Sequence, residues 1–556
     1  MPETPDPEAT ERPRPHHTGG GSAADQLWWY RDARQPSPPV RPSRWRSIPR
    51  EVAVDALACL SVSTLCFSQA GRETFPVDWG FYNQVPLGAP TLLALMLNIV
   101  ALAAGGFLGV QAIRRARGAA CRLAAVVAAA MLLIALNFAR ISHETVVQWT
   151  DAIGHAGLLA VVVLVLAASL AWPRPALRAI RGVALVASPL AVVTLAHALW
   201  MFLEVAAGPV WRVADPAPLT RGAPSLRRVV WLVFEELDQR LTFEARPPGL
   251  ELPEFDRLRR EALYADAARP PAGTTDVSMP ALITGRPVVA VAPTSPNDLE
   301  LTFADGPAAP WRAQPNVFSR ARALGYDTAL IGWRLPYPRV LGASLGTAAW
   351  RPSVVHEQAR GSTFSQAFWN QWGSLAPPVH ARRLLAQRYA EIADLALRTA
   401  TDGRFGLVLL HLPVPRPPGI YDRATERLTT WNFTGADGGY LDNLALADRV
   451  IGELRRGIER ARLGDRTWIV VSSDHWWRAP KRDDRQVDHR VPFLVRPPQG
   501  GRTTHVDAAF NTVATHDLVL AILRGSVSDT RDVAAWLSRQ KAAPPRDYTG
   551  EGRPIY

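Results

Sequence analysis

The chain has few cysteines, and those it has lie close together in its first quarter. Cys59, Cys66 and Cys121 are the three cysteines among 556 residues, and none follows Cys121. The region after residue 121 therefore contains neither a disulfide nor a catalytic thiol. Whatever chemistry that region performs must depend on hydroxyl, carboxyl, imidazole or guanidinium groups.

Acidic residues are in the minority among the charged side chains. Lys and Arg together number 62 and Asp and Glu 50, which gives a formal net charge of +12. Much of the arginine in the first half lies in the N-terminal tail and in short loops between apolar runs, where membrane topology explains it. The positive balance therefore does not indicate a nucleic-acid partner, and no feature of the sequence predicts a protein partner.

Long apolar runs are missing after Pro209 and dominate the sequence before it. Five of them are long enough for a helix to cross a bilayer, which takes about 20 residues. They predict a five-helix transmembrane domain within residues 50–208. The first run is diluted by Asp55, and its alternative is a helix lying in the membrane interface. The runs are Val52–Ala70, Pro86–Ile113, Ala119–Phe138, Gly154–Trp172 and Val183–Ala207.

Arginine is concentrated in alternate loops between these runs. It is frequent before the first run, at 114–117 between the second and third, and at 174–181 between the fourth and fifth. Because positive charge stays on the cytoplasmic side, the N-terminus is predicted to be cytoplasmic. The region after the fifth run is predicted to be periplasmic or extracytoplasmic, in a protein of the inner or plasma membrane. An odd number of spans requires the same outcome.

The remaining segments set the domain boundaries. Residues 1–49 are rich in Pro, Gly and Arg, which predicts a disordered cytoplasmic tail. Residues 209–226 are expected to be a linker, 227–540 a catalytic domain and 541–556 a C-terminal tail. The aromatic loop Thr74–Val85 is either a belt at the outer interface or a rim that meets a lipid substrate.

Residues 227–540 have the pattern of a soluble α/β domain. Short apolar runs predict strands, and Gly439–Arg462 is predicted to be a long amphipathic helix. Helices that alternate with continuously apolar strands imply a mainly parallel sheet covered on both faces. Such sheets bind ligands at the carboxyl ends of their strands. The predicted strands are Val229–Phe234, Thr328–Gly332, Gly406–Leu410 and Trp468–Ser472.

Acids and imidazoles stand at the ends of these predicted strands. Glu235 and Glu236 follow the first strand, where they either cap a following helix or bind a cation. Asp474 and His475 follow the last strand, and an oxygen donor beside an imidazole favours Zn²⁺ or Mn²⁺ over Ca²⁺. The sequence is compatible with one or two ions. His489 precedes another apolar run and either returns to this place or is a surface histidine.

The segment Gly273–Gly285 contains two candidate hydroxyl side chains, Thr275 and Ser278. In one interpretation Thr275 or Ser278 is the N-cap of a short helix. In the other, a helix N-terminus and a metal together lower the cost of forming an alkoxide on a nucleophile. The interpretations are compatible, since a nucleophile at a helix start is also well placed to hold a phosphate.

A proline-rich segment, His411–Gly419, is predicted to be a loop that leaves the third strand. His411 comes at a strand end, as Glu235 does, and is therefore expected to share the site. Arg416 is either a planar clamp for a tetrahedral anion or a solvated side chain in a structural loop.

In their order and spacing these segments resemble the alkaline phosphatase superfamily, in its sulfatase-like branch, over about Arg228–Pro498. The resemblance implies that Thr275, which lies ten residues before Gly285, is the nucleophile. It also implies that a metal is held by acids at the first strand and by the Ser-Ser-Asp-His motif. The implied ligands are Glu235, Asp474 and His475, with Glu236 and Thr275 as further candidates.

Five membrane helices followed by such a domain are similar to the lipid-linked phosphotransferases, such as lipoteichoic acid synthases and phosphoethanolamine transferases. This resemblance implies a membrane lipid as donor, a phospho-threonine intermediate, and a glycan or lipid of the cell envelope as acceptor. It further implies that His411, Arg416 and His489 bind the phosphoryl group or move protons.

The sequence departs from the family pattern in several places. Trp476 and Trp477 replace the usual Gly-Glu, which predicts a bulkier, more aromatic mouth to the site. Without a cysteine to convert to formylglycine, the resemblance does not extend to sulfate-ester hydrolysis. Two alternatives to phosphotransfer remain, namely a phosphoesterase that uses water as acceptor and a catalytically inactive module that binds envelope glycans.

Overall fold

The structure is a computed structural model, and it describes most of the chain between residues 49 and 540. The described ranges are 49–75, 80–115, 117–142, 146–147, 150, 153–207, 227–432, 434–478 and 488–540. Apart from Pro49, the predicted tails at 1–49 and 541–556 and the predicted linker at 209–226 lie outside these ranges, as does Trp79 of the aromatic loop.

The N-terminal region is built from helices. Three of them contain segments long and apolar enough to cross a membrane, namely Ala89–Ile113, Ala119–Ile141 and Ser188–Val205. These match the second, third and fifth predicted runs and indicate a membrane anchor. The described helices are α1 (Arg50–Cys66), α2 (Ser68–Arg72), α3 (Ala89–Ile113), α4 (Ala119–Ile141), α5 (Gly154–Ala171), α6 (Pro173–Val186) and α7 (Ser188–Ala207).

The other predicted spans differ in detail from what the structure contains. The first run is divided at Phe67 into α1 and α2, and the fourth corresponds to the apolar but shorter α5. The fifth span starts at Ser188 rather than Val183, because residues 183–186 belong to α6, an amphipathic helix with arginines on one side. The total of five spans and their orientation stay predictions.

A second set of elements follows from Arg228. The helices are α8 (Pro253–Glu261), α9 (Thr275–Thr284), α10 (Val317–Ala323), α11 (Tyr337–Leu341), α12 (Phe364–Gly373), α13 (Pro377–Ala400), α14 (Gly435–Arg460), α15 (Thr515–Arg524) and α16 (Thr530–Ser538). The strands are β1 (Arg228–Glu235), β2 (Leu263–Ala265), β3 (Ala268–Arg269), β4 (Val288–Ser295), β5 (Asp298–Phe303), β6 (Ala308–Pro310), β7 (Asp327–Trp333), β8 (Thr347–Arg351), β9 (Phe405–Pro415), β10 (Tyr421–Asp422), β11 (Arg427–Leu428), β12 (Thr467–Ser473), β13 (Phe493–Arg496), β14 (Thr504–Val506) and β15 (Phe510–Asn511).

The main sheet carries the site. Within the described residues it has eight strands in the order β14-β2-β13-β12-β1-β9-β7-β8. β13 runs antiparallel to β12 and β2, and the other neighbouring pairs are parallel. The predicted C-terminal α/β domain with a mainly parallel sheet is confirmed. Because β12, β1 and β9 are adjacent and parallel, the side chains at their carboxyl ends meet at one edge.

Both faces of the sheet are covered, as the continuously apolar strands required. The side chains of Val229, Trp231 and Val233 pack in one buried cluster with residues of α9 and α15. The alternating residues Val230 and Leu232 pack in a second cluster with residues of α13 and α14. The sheet thus forms a rigid layer from whose edge polar groups can project.

The first part of the predicted loop, His411–Pro415, is strand, whereas Arg416–Gly419 lies outside any strand or helix as predicted. β9 continues to Pro415 and pairs with β1 as far as Leu412, with a shifted pairing of Glu235 with Pro415. Its pairing with β7 ends at Leu410. Prolines are tolerated beyond that point because β9 no longer needs N–H donors for a ladder with β7. His411 therefore projects from a strand interior, opposite Val233 of β1.

Helix α12 joins the two regions. The Trp372 indole donates to Asn98 Oδ1 at 2.8 Å, and Asn98 Nδ2 donates to Gln371 Oε1, also at 2.8 Å. Gln371 Nε2 in turn donates to the Thr91 carbonyl at 3.0 Å. These bonds fasten the inner face of α12 to α3, while Trp369 on its outer face is 63% exposed. An aromatic side chain in that position is typical of a helix lying at a membrane interface.

The aromatic loop before α3 also lies against the catalytic domain. Phe81 and Tyr82 are buried, and the backbone N–H groups of Gln84 and Val85 donate to the Glu357 carboxylate. Neither Phe81 nor Tyr82 is therefore part of an exposed aromatic belt. Residues 81–85 of this loop thus form a contact between the helical region and the domain that follows it.

Candidate active site

Three buried polar atoms converge at the carboxyl ends of the central strands. Glu235 ends β1, His411 projects from β9, and Asp474 follows β12, and all three side chains are fully buried. One ligand atom from each lies within 4.8 Å of the others. Among the described residues, Glu235 Oε2, His411 Nε2 and Asp474 Oδ2 make no hydrogen bond of normal geometry. The His411 Nε2 lies 3.4 Å from Glu235 Oε2, and the His475 Nε2 lies 3.4 Å from Asp474 Oδ2. Buried carboxylate oxygens without partners are costly, so these residues fit a cation.

His475 and Glu236 extend this donor set. Glu235, Glu236 and His475 form a second group with ligand atoms within 4.8 Å of one another. The His475 Nδ1 lies 2.9 Å from the Trp476 carbonyl oxygen. Because a carbonyl only accepts, Nδ1 carries the proton and Nε2 presents its lone pair to the site. Mixed carboxylate and imidazole donors suit Zn²⁺ or Mn²⁺.

The two strand-end carboxylates have opposite electrostatic behaviour. Burial alone would raise the pKa of Glu235, but His411, Arg416 and His475 hold that pKa well below its ordinary value. Burial, reinforced by the Glu235 carboxylate, raises the pKa of Asp474 well above its ordinary value. Two neighbouring carboxylates cannot both ionise cheaply in a buried site. A bound cation would remove that conflict and allow both to be charged.

Burial also keeps the histidine of the cluster neutral. Burial and the nearby Arg478 lower the pKa of His475 to about 3. A neutral imidazole is the form that binds metal ions. The protein therefore holds His475 ready as a ligand across the physiological pH range.

Thr275 lies beside the donor cluster at the start of α9. Its side chain is buried, and its hydroxyl Oγ1 donates to Glu235 Oε1 at 3.0 Å. The same oxygen lies 3.4 Å from His475 Nε2. The N-cap of α9 is the extended residue Thr274, without a side-chain capping bond. The structure therefore places Thr275 inside the helix at its first position, with its hydroxyl directed at the cluster.

Ser278, the other hydroxyl of this segment, has a structural environment. Its Oγ lies 3.0 Å from the Ala272 carbonyl oxygen and accepts from the Ala272 N–H at 3.1 Å. These bonds close the turn that leads into α9. The sequence left Thr275 and Ser278 both open as helix caps, and neither side chain caps the helix.

A half-buried ion pair holds the start of α9 in place. Arg334 donates from Nε and an η nitrogen to the Asp276 carboxylate at 2.7 and 2.6 Å. Despite its burial, Asp276 has a pKa below the ordinary value because of Arg334. A bidentate pair of this kind fixes orientation as well as distance. The predicted strand Thr328–Gly332 ends just before Arg334, so the strand-end rule could have identified this residue.

Two arginines contact the adjacent acids Glu235 and Glu236. Arg416 donates to Glu235 Oε1 at 2.8 Å and lies 3.8 Å from Glu236, while Arg478 donates to Glu236 Oε1 at 3.2 Å. Glu236 has a φ of 64°, a left-handed conformation that turns its side chain away from that of Glu235. Burial raises the pKa of Glu236, although both arginines oppose that effect. Arg416 is thus a half-buried partner of the acids rather than a solvated side chain.

His411 has a partner that the sequence did not indicate. The Tyr337 hydroxyl lies 2.8 Å from His411 Nδ1 and is completely buried. Burial and the nearby Asp474 and Glu235 carboxylates raise the pKa of Tyr337 well above its ordinary value. Tyr337 therefore stays a neutral phenol that orients the imidazole. No sequence pattern around Tyr337 marks it as part of the site.

His489 is not among the described residues that converge as metal donors. Its ring packs on Trp476, with centroids 4.4 Å apart. Trp476 also covers Gly273, where a Cβ atom would approach the indole to 2.7 Å. His489 thus lies behind an indole that covers the turn before Thr275.

The tryptophan pair does not form an exposed mouth. Both Trp476 and Trp477 are 1% exposed. Trp477 stacks on Tyr440 with centroids 4.1 Å apart, and the Tyr440 hydroxyl donates to the Glu236 carbonyl at 2.7 Å. The predicted aromatic mouth is wrong in this respect, because both indoles fill space in the interior next to the site.

A residue from the helical region borders the site. Tyr82 stacks on His356 with centroids 4.9 Å apart, and the Arg334 guanidinium lies 5.4 Å from the Tyr82 ring centre. Burial and Arg334 lower the pKa of His356 to about 3. The chain of contacts from Tyr82 through Arg334 to Asp276 ends one residue from Thr275.

Comparison with known proteins identifies a family for the second half of the chain. The family model for sulfatases matches residues 227–524, more than half of the chain, whereas no curated protein matches. Among solved structures, a phosphonate monoester hydrolase from Silicibacter pomeroyi is 14% identical, with a TM-score of 0.38 over 57% of this chain and 78% of that one. A sulfatase from Pseudoalteromonas sp. is 15% identical, with a TM-score of 0.36 over 53% and 67%. A protein of the alkaline phosphatase superfamily from Vibrio parahaemolyticus is 13% identical, with a TM-score of 0.36 over 56% and 68%.

Proposed function

Because the chain belongs to the sulfatase family, we propose that it is a membrane-anchored, metal-dependent phosphotransferase of the cell envelope. The predicted place in the sulfatase-like branch of the alkaline phosphatase superfamily is confirmed, and membership supports a hydrolase-type enzyme. The finer proposal is that Thr275 takes a phosphoryl headgroup from a membrane lipid and passes it to a glycan or lipid acceptor. The catalytic domain would lie outside the cytoplasm.

The position of the Thr275 hydroxyl carries this proposal. It lies 3.0 Å from Glu235 and 3.4 Å from His475, beside buried donors that lack partners. A threonine hydroxyl is a weak nucleophile unless a base or a metal activates it. When bound, a divalent cation would supply that activation and offset charge on the phosphoryl oxygens. Glu235, Asp474 and His475 would hold it, with Glu236 and Thr275 at its margin.

The proposed reaction has two balanced steps. In the first, Thr275 Oγ1 forms a bond to phosphorus, the ester bond from phosphorus to the lipid alcohol breaks, and the Thr275 proton ends on that alcohol. In the second, an acceptor hydroxyl attacks phosphorus, the bond to Thr275 breaks, and the acceptor proton returns to Thr275. His411, held by Tyr337, is placed to hydrogen-bond the phosphoryl oxygens or to move these protons.

Phosphoryl transfer is favoured over sulfate hydrolysis by the nucleophile position. No cysteine follows Cys121, so the residue at the start of α9 cannot be a formylglycine derived from cysteine. Arg416, paired with Glu235, would contribute positive charge next to the transferred group. His489, which packs behind Trp476, is proposed to act only indirectly, by supporting that indole.

Mass spectrometry of the full-length, metal-loaded protein incubated with phospholipid vesicles tests the proposal. We expect a phosphoryl adduct on Thr275, whose mass identifies the headgroup. Thr275→Ala should remove the adduct and lower turnover by about a thousandfold or more. Thr274→Ala is the matched control, because that neighbouring hydroxyl makes no capping bond.

Product analysis separates transfer from hydrolysis. A headgroup recovered on a glycan or lipid supports transfer, whereas free headgroup phosphate as the main product would make the protein a phosphoesterase. If folded, metal-loaded Thr275→Ala turned lipid over as fast as wild type, the proposal would fall.

A further inference from the structure

A second polar site lies in the helical region, apart from the strand-end cluster. α1, α3, α4 and α6 surround a cavity of about 870 Å³. Five arginines line one end of it, namely Arg114, Arg117, Arg174, Arg178 and Arg181. Apolar side chains line most of the remaining wall. The cavity belongs to the bundle, and none of its lining residues is one of the proposed catalytic residues.

The charge of this cavity is strongly unbalanced. Asp55 is the one acidic side chain in its lining, and it is buried. Arg114 and Arg181 approach its carboxylate oxygens at 2.5 and 3.2 Å. Within the described residues, Arg117, Arg174 and Arg178 form no ion pair, and their side chains are exposed. They therefore place uncompensated positive charge at this end of the cavity, next to the membrane surface, where such charge attracts anionic headgroups.

The rest of the cavity has the shape and polarity for a hydrocarbon chain. Along α3 its lining runs from Ala101 to Arg114, which spans roughly 20 Å at the rise of an α-helix. Gly105 and Gly109 line it, and a Cβ atom at either would meet nothing within 4 Å. Trp372 of α12 lines the cavity as well. A charged end and a long apolar wall together match an amphiphile rather than a free ion.

We propose that this cavity binds one anionic phospholipid, with its headgroup among the arginines and an acyl chain along α3. Basic pockets between membrane helices bind acidic headgroups in this way. The arginine end lies at the C-terminus of α3, whereas the catalytic domain is fastened near its N-terminus through Thr91 and Asn98. The headgroup of the lipid would therefore lie at the opposite end of α3 from the domain contact, and its acyl chain would extend toward Trp372. In that position the lipid would be a structural or regulatory ligand.

Native mass spectrometry of the full-length protein in mild detergent tests the headgroup end. Titration with phosphatidylglycerol should yield one tightly bound lipid, with at least about tenfold preference over phosphatidylcholine of the same chains. Arg174→Gln with Arg178→Gln should weaken phosphatidylglycerol binding by about tenfold or more, since each basic side chain near an anionic lipid contributes substantially. Arg115→Gln with Arg122→Gln removes the same charge outside the cavity lining and should leave the affinity unchanged.

A volume-filling variant tests the chain end without touching a charge. Gly105→Leu and Gly109→Leu should each weaken phosphatidylglycerol binding by about tenfold, because the new side chain occupies the path of the acyl chain. Gly182→Leu is the matched control, since a Cβ there also meets nothing within 4 Å and the residue does not line the cavity. Both glycine positions are helical, so leucine favours folding.

The outcomes separate the proposal from its rivals. Loss of binding in both the arginine and the glycine variants supports a lipid. Equal binding of the two lipids, or equal losses in the control variants, means ordinary surrounding lipid only and overturns the proposal. Weakened binding in the arginine variants with full binding in the glycine variants, together with binding of inorganic phosphate alone, means a small-anion site and also overturns it.

Discussion

The protein holds two clusters of charge, and they are opposite in balance and construction. At the strand ends, the carboxylates of Glu235, Glu236 and Asp474 lie close to the imidazoles of His411 and His475. Glu235 Oε2 and Asp474 Oδ2 make no hydrogen bond of normal geometry. In the helical bundle, a single acid, Asp55, faces an excess of arginine. The first cluster fits a cation, and the second is proposed to bind an anion. The strand-end cluster is buried, whereas in the bundle only Asp55 is buried. In both places it is therefore the local balance of charge that indicates the kind of ligand.

The two clusters also differ in how firmly they are built. The strand-end donors come from adjacent parallel strands whose register is fixed by backbone hydrogen bonds. The arginines come from helix ends and a short connection, on long side chains with many rotamers. A sheet edge suits the fixed geometry of metal binding and catalysis, whereas a groove between helices suits a flexible, amphiphilic ligand.

The largest effect is expected from removing a carboxylate at the strand ends. Asp474→Asn should lower bound metal to less than about a tenth of the wild-type content, and activity by more than the 10–100-fold typical of outer-shell changes. Elemental analysis of the purified protein measures the content. Asp448→Asn is the control, since it changes another buried acid that accepts backbone N–H groups outside the cluster. Wild-type metal content in Asp474→Asn would show that Asp474 is not a ligand.

Removing the metal should destabilise the catalytic domain in a pH-dependent way. The folded-state pKa of Asp474 is raised, so without metal the folded protein holds a proton that the unfolded chain releases. Stability is then lost as pH rises above the ordinary range of an aspartate. Chelation should lower Tm by several degrees, at about 2–4 °C per kcal/mol, and by more at pH 8 than at pH 6.

Calorimetry with and without added Zn²⁺ or Mn²⁺ measures this difference. Asp474→Asn protein should show little response to the chelator, because it has lost the carboxylate conflict. A wild-type Tm that chelation leaves unchanged at every pH would contradict a metal at this cluster.

A smaller effect is expected from the residue that orients His411. Tyr337→Phe removes the 2.8 Å contact to Nδ1 while keeping the ring in place. Activity should fall by about 10–100-fold, as for other outer-shell partners of a site histidine. Steady-state turnover at saturating metal measures this loss, and full activity would make the contact incidental. Tyr326→Phe, which removes a hydroxyl bonded to the Leu523 carbonyl far from the cluster, serves as control.

The smallest expected effect is a change in lipid affinity on replacing Asp55. It is also the one that most clearly separates the bundle cluster from the strand-end cluster. Asp55→Asn should raise affinity for phosphatidylglycerol about fivefold, because the arginines lose a competing carboxylate. Loss of an acid thus abolishes one site and strengthens the other. The lipid titration described above measures the change, and metal content should stay at the wild-type level. Weaker lipid binding in folded Asp55→Asn protein would mean that the acid builds the cavity rather than competing for it.

Strand-based reasoning located much of the candidate site before any coordinates. Continuous apolar runs before Glu235 and Asp474 marked buried strands, and parallel topology required their ends to meet. The helix predicted over Gly439–Arg462 begins at Gly435 and ends at Arg460. His411 was found for a partly wrong reason, since β9 does not end there. Its placement depends on register with β1, which no local pattern encodes.

Other features depended on contacts between distant segments. Tyr337 reaches the site from the start of α11, whose local sequence does not mark it as a site residue. The buried tryptophans looked like surface aromatics. In the helical region, hydropathy found the apolar runs but not the break at Phe67 or the separate helix α6. The arginines that predicted topology also line a cavity, which only the packing of four helices reveals.

Helix α12 attaches the catalytic region to the helical region by side-chain contacts, independently of the chain segment that connects the two regions. The chain joins its helical and catalytic regions at 209–226, but Gln371 and Trp372 hold α12 on α3 through side-chain bonds more than 250 residues apart in sequence. A protease cut in the connecting segment would therefore leave the catalytic domain seated on its anchor. Releasing the domain would require breaking the Asn98 contacts as well. Release of the cut domain from the membrane would therefore measure the strength of its noncovalent association with the helices.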